Sequence, residues 1–330
     1  MLYFVVGLPG RFAAWCDAVV AHLVAPMAAS GAIIAADTPS EMAECAVRSN
    51  LSHGVVSSRR PGSRLRAALS ETGRSFIVAL DDPRHALADL AGEPLAAAAV
   101  IPTIASSCGA VVPYVNAPGA LVVRAAEAAA DPVATAGAIA AHLDRDADGA
   151  ALAGIVGALA AQGIGPDTAA SQARWDALDA DQRAWAEGAL AGYGGCFAGG
   201  PVAPLSWARN LFFLGDRPDE RASWIIDITG RARCLLQGPG IMIAPGNWTV
   251  GVKLLFSKEA TEHEFLVELL SDRQLAATTV RPEREGRLDV DFPLTVDEDG
   301  NQPLTIRLSS HRAAFDGACA MDVTVLTPHR

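Results

Sequence analysis

The first fifteen residues constrain the fold more than any other stretch. Leu2-Tyr3-Phe4-Val5-Val6 is a short run with both alternate faces apolar, the pattern of a strand buried on both sides in a parallel sheet. It meets the turn Gly7-Leu8-Pro9-Gly10, after which Phe12, Trp15, Val19, Val20 and Leu23 repeat at helical spacing. Strand, tight glycine turn and helix together offer backbone N–H groups and the positive end of a helix to an anion. This is how a nucleotide-binding α/β domain commonly opens, so the turn is the first place to look for a phosphate site.

The alternation continues. Strands are expected at Gly54–Ser57, Ser75–Leu80 and Ala120–Arg124, and 31–36 reads as a second strand or as a buried helix end. Helices are expected over 12–29, from Pro39, from Pro83 to about Leu95, from Pro132 to Leu143, and over 148–162, where Gly163 ends the run. Asp131 has the chemistry of an N-cap and Pro132 that of a first helical residue. Val100–Val115 is ambiguous, cut by Pro102, Gly109 and Pro113. Residues 165–200 read as polar helix anchored by Trp175, Trp185 and Tyr193; the glycine-rich 191–200 and the Gly215–Glu220 turn read as a connection between domains. From Trp224 the texture changes. Trp248, Val250, Val252, Leu254 and Phe256 alternate with polar or small positions, and strand patterns follow at 264–270, 274–280, 287–293, 303–309 and 321–327. The expected fold is a parallel α/β sheet flanked by helices over 1–165, a helical extension over 166–222, and an antiparallel β-sandwich over 223–330.

Composition excludes several classes. With 26 basic against 37 acidic residues the net charge is -11, which argues against a nucleic-acid partner. The six cysteines are scattered with no CxxC pair and no zinc spacing, so no metal site is expected and a reduced, cytoplasmic compartment is the simplest reading. No basic region precedes the apolar N-terminal run, and no uninterrupted apolar segment reads as a membrane span. There is no GxxxxGK[ST], no GxGxxG after a strand and no GxSxG elbow.

Three segments together resemble the sulfotransferase fold, whose members transfer a sulfuryl group from the nucleotide donor PAPS. Phe4-Val-Val-Gly7-Leu8-Pro9 is similar to the 5′-phosphosulfate loop; Phe76-Ile-Val-Ala-Leu-Asp81-Asp82-Pro83-Arg84 through Asp89-Leu90 is similar to the 3′-phosphate strand and helix; Leu121-Val-Val-Arg through Asp131-Pro132 and on to Leu143 is similar to the late strand, turn and helix. The resemblance covers about half the chain and implies cofactor contacts at Gly7, Pro9, Gly10, Arg11, Phe12 and Arg84. It also shows departures. Gly10 stands where the family has a basic residue, with Arg11 one place late, and Phe12 and Ala13 stand where it has a glycine and a hydroxyl. Asp81 replaces the arginine that grips the 3′-phosphate and Asp89 replaces a serine. Arginine binds phosphate by charge-assisted, bidentate bonds. A carboxylate at ~5 Å in an effective dielectric near 20 instead repels each phosphate charge by about 3 kcal/mol. His53, just before the strand Gly54–Ser57, is the catalytic candidate the resemblance implies, with Glu41 and Glu44 behind it. His22 and His142 lie on helices and read as packing or solvated residues. Arg59, Arg60, Arg64 and Arg66 form a basic run with the character of a solvated helix face, or else of a phosphate-facing one.

The C-terminal part is similar to accessory β-sandwich modules found beside polysaccharide-modifying enzymes, on Leu235 through Gly238-Pro239-Gly240 to Trp248 and on Phe315-Asp316-Gly317. Gln237, Asn247, Arg307 and Asp316 are its polar site candidates, whereas Trp248 lies on the apolar face and reads as core. The combined expectation is a sulfotransferase-like protein with a degenerate PAPS site, non-catalytic or altered, with a glycan or protein partner. The alternatives are an active sulfotransferase with a shifted loop, in which Arg11 and the 59–66 arginines hold the donor, and an interaction subunit that docks through the sandwich or the Ala-rich helices.

Overall fold

The N-terminal apolar run forms β1 (Leu2–Gly7), and the chain turns straight into α1 (Arg11–Val24). The alternation then proceeds through β2 (Ile33–Ala35), α2 (Pro39–Arg48), β3 (Gly54–Ser58), α3 (Ser63–Glu71), β4 (Phe76–Leu80), α4 (Pro83–Leu90), α5 (Ala97–Val115) and β5 (Ala120–Arg124). The five strands make one parallel sheet in the order β2-β3-β1-β4-β5. Helices α6 (Ala125–Ala130), α7 (Pro132–His142), α8 (Gly149–Ala161) and α9 (Ala169–Ala177) follow. The computed structural model describes residues 1–25, 32–48, 53–91, 97–297 and 302–329. Residues 26–29 of the expected first helix, 92–95 of the one expected from Pro83, 49–52 and 298–301 lie outside the described residues, as does Gly31 of the expected second strand.

One core joins sheet and helices. Val5, Val55, Ile77 and Val123 of the strands pack with Phe12, Trp15 and Val19 of α1, Ile139 of α7, and Leu152 and Leu159 of α8. Gly7 is required by this packing: a Cβ there would stand 2.4 Å from the Ala79 carbonyl oxygen of the neighbouring strand. The Asp131 carboxylate caps α7 by accepting the Ala134 N–H at 2.9 Å, with Pro132 opening the helix. The ambiguous 100–115 segment is a single helix, α5. Val100, Ile101, Ile104, Cys108, Val111 and Val115 recur at helical spacing and are buried, and that burial outweighs the cost of Pro102, Gly109 and Pro113. The segment that reads as interrupted is therefore 19 residues of mean hydropathy 1.6, long and apolar enough by length and composition to cross a bilayer, and mostly buried in the fold.

The chain divides into two compact units, Met1–Leu95 with Ser107–Leu178, and Ala96–Ser106 with Asp179–Arg330. The second begins with the first half of α5 and with α10 (Ala180–Phe197), then β6 (Leu205–Ala208), β7 (Phe213–Leu214), β8 (Ile226–Asp227) and β9 (Cys234–Ile241). It continues with β10 (Gly246–Phe256), β11 (Phe265–Leu270), β12 (Gln274–Val280), β13 (Gly286–Val296), β14 (Leu304–Ser310) and β15 (Ala318–His329). Two antiparallel sheets result, β13-β10-β15-β6 with β8 beside β15, and β12-β11-β14-β9-β7. Trp248, Val250, Val252, Leu254 and Phe256 form the buried side of β10, as their period of two requires.

Candidate functional site

In the order β2-β3-β1-β4-β5 the chain leaves β1 toward one edge and crosses to the other side at β4. The carboxyl ends of β1 and β4 thus border the crevice where open α/β sheets receive ligands. The two stretches singled out in the sequence meet there: the Gly7–Gly10 turn after β1, and Asp81, Asp82 and α4 after β4.

Side chains of α4 and α9 meet the turn at this crevice. Asp89, on α4, accepts the Arg11 backbone N–H at 2.8 Å through Oδ2, at the N-terminus of α1. Its other oxygen accepts the Ser171 hydroxyl at 2.6 Å and the Arg174 guanidinium at 2.8 Å, both from α9. The Asp89 side chain is only 5% exposed. A helix-end N–H, a hydroxyl and a guanidinium are the groups a bound phosphate would draw on. Gly10 belongs to this arrangement: its φ is +146°, and a Cβ there would lie 3.1 Å from Asp89 Oδ2.

The other charged groups of the crevice are also paired internally. Arg84 donates through Nε to both Asp82 oxygens at 3.0 Å, and its guanidinium lies 6.0 Å from the centroid of the Trp175 ring. Burial pushes the Asp82 carboxyl up, but the bonds from Arg84 prevail and hold it below the usual range. Asp81 Oδ1 faces His85 Nδ1 at 3.0 Å, and Gln172 Oε1 faces His85 Nε2 at 3.1 Å. The bond to Asp81 raises His85 to about 9 against the effect of burial, so both ring nitrogens donate at neutral pH. Arg11 turns its side chain away to the Gly163 carbonyl, at 3.0 Å. Ser171, Gln172, Arg174 and Trp175 of α9 thus close over α4. The sequence reading named Trp175 as a packing anchor but passed over Ser171, Gln172 and Arg174; the signal was the i, i+3, i+4 spacing of Ser171, Arg174 and Trp175 on one helical face.

The remaining sequence candidates are placed as follows. Phe12 is buried and stacks on Trp15 at 6.0 Å, so its side chain belongs to the core. His53 is not brought to the turn. Because Leu2 pairs with Gly54 in parallel, His53 stands at the amino edge of the sheet, six strand positions or about 20 Å from the level of Gly7 at ~3.3 Å per residue. A residue placed before a strand faces the opposite end of a parallel sheet from the turns that follow strands. Glu41 caps its own helix, accepting from the Asp37 and Thr38 N–H groups at 2.8 and 3.2 Å; Glu44 is exposed. His22 faces the Ala18 carbonyl and His142 the Gly119 carbonyl. Arg59 pairs with Asp17, which also accepts the Ser57 hydroxyl at 2.9 Å; burial pushes Asp17 up to about 6 against the pull of Arg59. The Arg60 N–H donates to Asp37, and Arg64 is exposed. In the second unit, Arg307 donates to both oxygens of the buried Glu268 at 2.6 and 2.8 Å and pairs across strands with Gln237. Asn247 accepts from Thr295, Asp316 accepts the Gly317 N–H, and the buried Trp248 donates to the Ala244 carbonyl. No group of three or more His, Cys, Asp or Glu residues is arranged to hold a metal ion among the described residues.

No family model matches the chain, and no curated protein matches it. A mouse sulfotransferase solved with PAP is similar at TM-score 0.36 and 14% identity, over 47% of this chain and 61% of its own. This chain thus spans less than two thirds of that enzyme. A family-61 carbohydrate-binding module with β-1,4-galactotriose is similar at TM-score 0.24 and 13% identity, over 31% of this chain and 67% of its own. The VP2 subviral particle of infectious bursal disease virus is similar at TM-score 0.26 and 8% identity, over 39% of this chain and 34% of its own. Likenesses of this size leave the functional reading to this chain's own side chains.

Proposed function

We propose that the α/β unit is a sulfotransferase-like scaffold that has exchanged a nucleotide phosphate for its own Asp89 carboxylate. On this reading the protein does not transfer sulfuryl groups, and it serves glycan binding through its β-sandwich unit. The observation that carries the first part is the 2.8 Å bond from the Arg11 N–H to a nearly buried Asp89 that also holds Ser171 and Arg174. The residues present do not fit PAPS: a phosphate at this turn would meet a carboxylate already in its place. Charge repulsion of about 3 kcal/mol per close pair adds to the loss of a free helix end. The shifted-loop alternative draws no support from the contacts, since the Arg11 and Arg59 side chains turn to Gly163 and Asp17, and the exposed Arg60 side chain lies 4.0 Å from Asp37. For the sandwich, support comes from two polar features: the half-buried Arg307 and Gln237, adjacent across strands with Arg307 held by the buried Glu268, and the neutral polar groups at the end of β10.

Isothermal titration calorimetry with PAP tests the first part. The intact protein is expected to give no binding heat at 100 μM PAP, a concentration about a hundred times a micromolar Kd. Binding at low micromolar Kd would overturn it.

A further inference from the structure

A cavity of about 470 Å3 opens at one end of the sandwich unit, between the segment before β6, the segment entering β10 and the end of β15. Its size falls within the roughly 300–1,000 Å3 of small-ligand sites. Pro201, Pro204, Pro245 and Pro328 line it, together with the edge of the Trp248 strand segment. Prolines bring no N–H to the wall, so these surfaces are apolar and rigid. No Asp, Glu, Lys or Arg lines it, in a chain with 63 such residues.

Two polar side chains border the cavity, and each is held by a partner outside the lining. Asn247 and His329 are cross-strand neighbours on β10 and β15, so they project from the same side. The Thr295 hydroxyl donates to Asn247 Oδ1 at 2.9 Å, which fixes the carboxamide with its nitrogen as a donor. His329 Nε2 lies 2.7 Å from the Thr249 hydroxyl, which leaves Nδ1 as the ring's other polar atom. Gly246 between the walls has φ +136°, so the backbone enters β10 there without a side chain intruding.

We infer that this cavity is a subsite for one neutral sugar ring of a glycan, an inference that rests on the glycan-binding reading above. An uncharged lining selects a neutral ligand, because a charged one would be desolvated without a counter-charge. Rigid apolar walls suit the C–H face of a pyranose. A carboxamide and an imidazole suit hydroxyls, which both donate and accept.

The test uses the full chain with glucose, galactose, mannose and xylose, titrated to 100 mM by protein-observed NMR, and with neutral polysaccharides by affinity gel electrophoresis. At least one sugar is expected to bind with a millimolar Kd. Asn247→Ala should weaken it at least tenfold, and Ala203→Trp, which fills the cavity from an exposed lining position, should abolish it. Both variants are checked for unchanged thermal unfolding, and a disturbed fold in Ala203→Trp leaves Asn247→Ala to decide. Absence of binding by all four sugars overturns the subsite, as does binding that neither variant changes, or binding of a proline-rich peptide in their place. If the polysaccharides still retard both variants, the subsite fails while the glycan reading stands. If none retards the intact protein, the glycan reading itself fails.

Discussion

At residue scale, Asp89 is the shared acceptor of the α1 N-terminus and of α9. Removing it leaves a helix-end N–H, a hydroxyl and an arginine without their acceptor. Bonds to a charged group are worth roughly 1.5–3 kcal/mol each, but Arg174 is half-exposed and regains water, so Asp89→Ala is expected to lose about 2–3 kcal/mol in urea unfolding. Sulfate at 50 mM should restore part of that loss in the variant and leave the intact protein unmoved. A loss below about 0.5 kcal/mol, or equal sulfate effects in both, would show that the carboxylate does not hold an anion site. His85 supplies a second check, through pH. An unfolded histidine titrates near 6.5, whereas Asp81 raises folded His85 to about 9. Its contribution to stability is therefore complete below pH 6.5 and lost as the pH rises through 9. An NMR titration of the ring that gives an ordinary midpoint near 6.5 would refute the Asp81 contact. Of this site, the sequence singled out Gly7, Gly10, Asp81 and Asp89, which the fold brings to the ends of β1 and β4. It could not show that Asp89 gathers the Ser171 hydroxyl and the Arg174 guanidinium at the end of α1, because those residues lie 82 and 85 positions away and no local period links them.

At the scale of elements, period two made most of the sandwich strands readable and period 3.6 most of the helices. The misreadings fall where glycine and proline serve packing and not turns. Gly238-Pro239-Gly240 lies inside β9, where the register shifts between Leu308 and Ser309 and again between Leu304 and Thr305. The glycines near residue 192 read as linker but belong to α10, which lies so close to β6 that no side chain fits between them. A Cβ on Gly192 would stand 2.5 Å from the Ala203 carbonyl oxygen, and one on Gly188 as close to the Ser206 hydroxyl, whereas Gly194 meets nothing within 4 Å. Gly192→Ala should therefore cost about 1–3 kcal/mol by overpacking. Gly194→Ala, in the same helix, should be neutral or stabilise by up to about 1 kcal/mol through helix propensity. Thermal unfolding of the two variants decides it; equal shifts would mean that the helix and strand are not in close contact.

For the whole molecule, the order of architectures, parallel α/β before antiparallel β, was legible from texture alone. The composition of the second unit was not, because residues 96–106 belong to it while the next part of the same helix belongs to the first. Two bonds make that segment matter to the sandwich. The Ser106 hydroxyl accepts the Met242 N–H at 3.0 Å, and the Ala98 carbonyl accepts from Arg221 at 3.1 Å. Arg221 has other partners, the Leu211 carbonyl and the face of Phe213, and can survive the loss. Met242 has a backbone N–H on the short path from β9 to Pro245, the wall of the end cavity. A fragment of residues 179–330 lacks both α5 partners. It should unfold at lower denaturant than the same strands in the full chain, with the 242–246 path the first to lose amide-exchange protection. Equal midpoints and equal protection at Met242 would show that the sandwich is complete without α5.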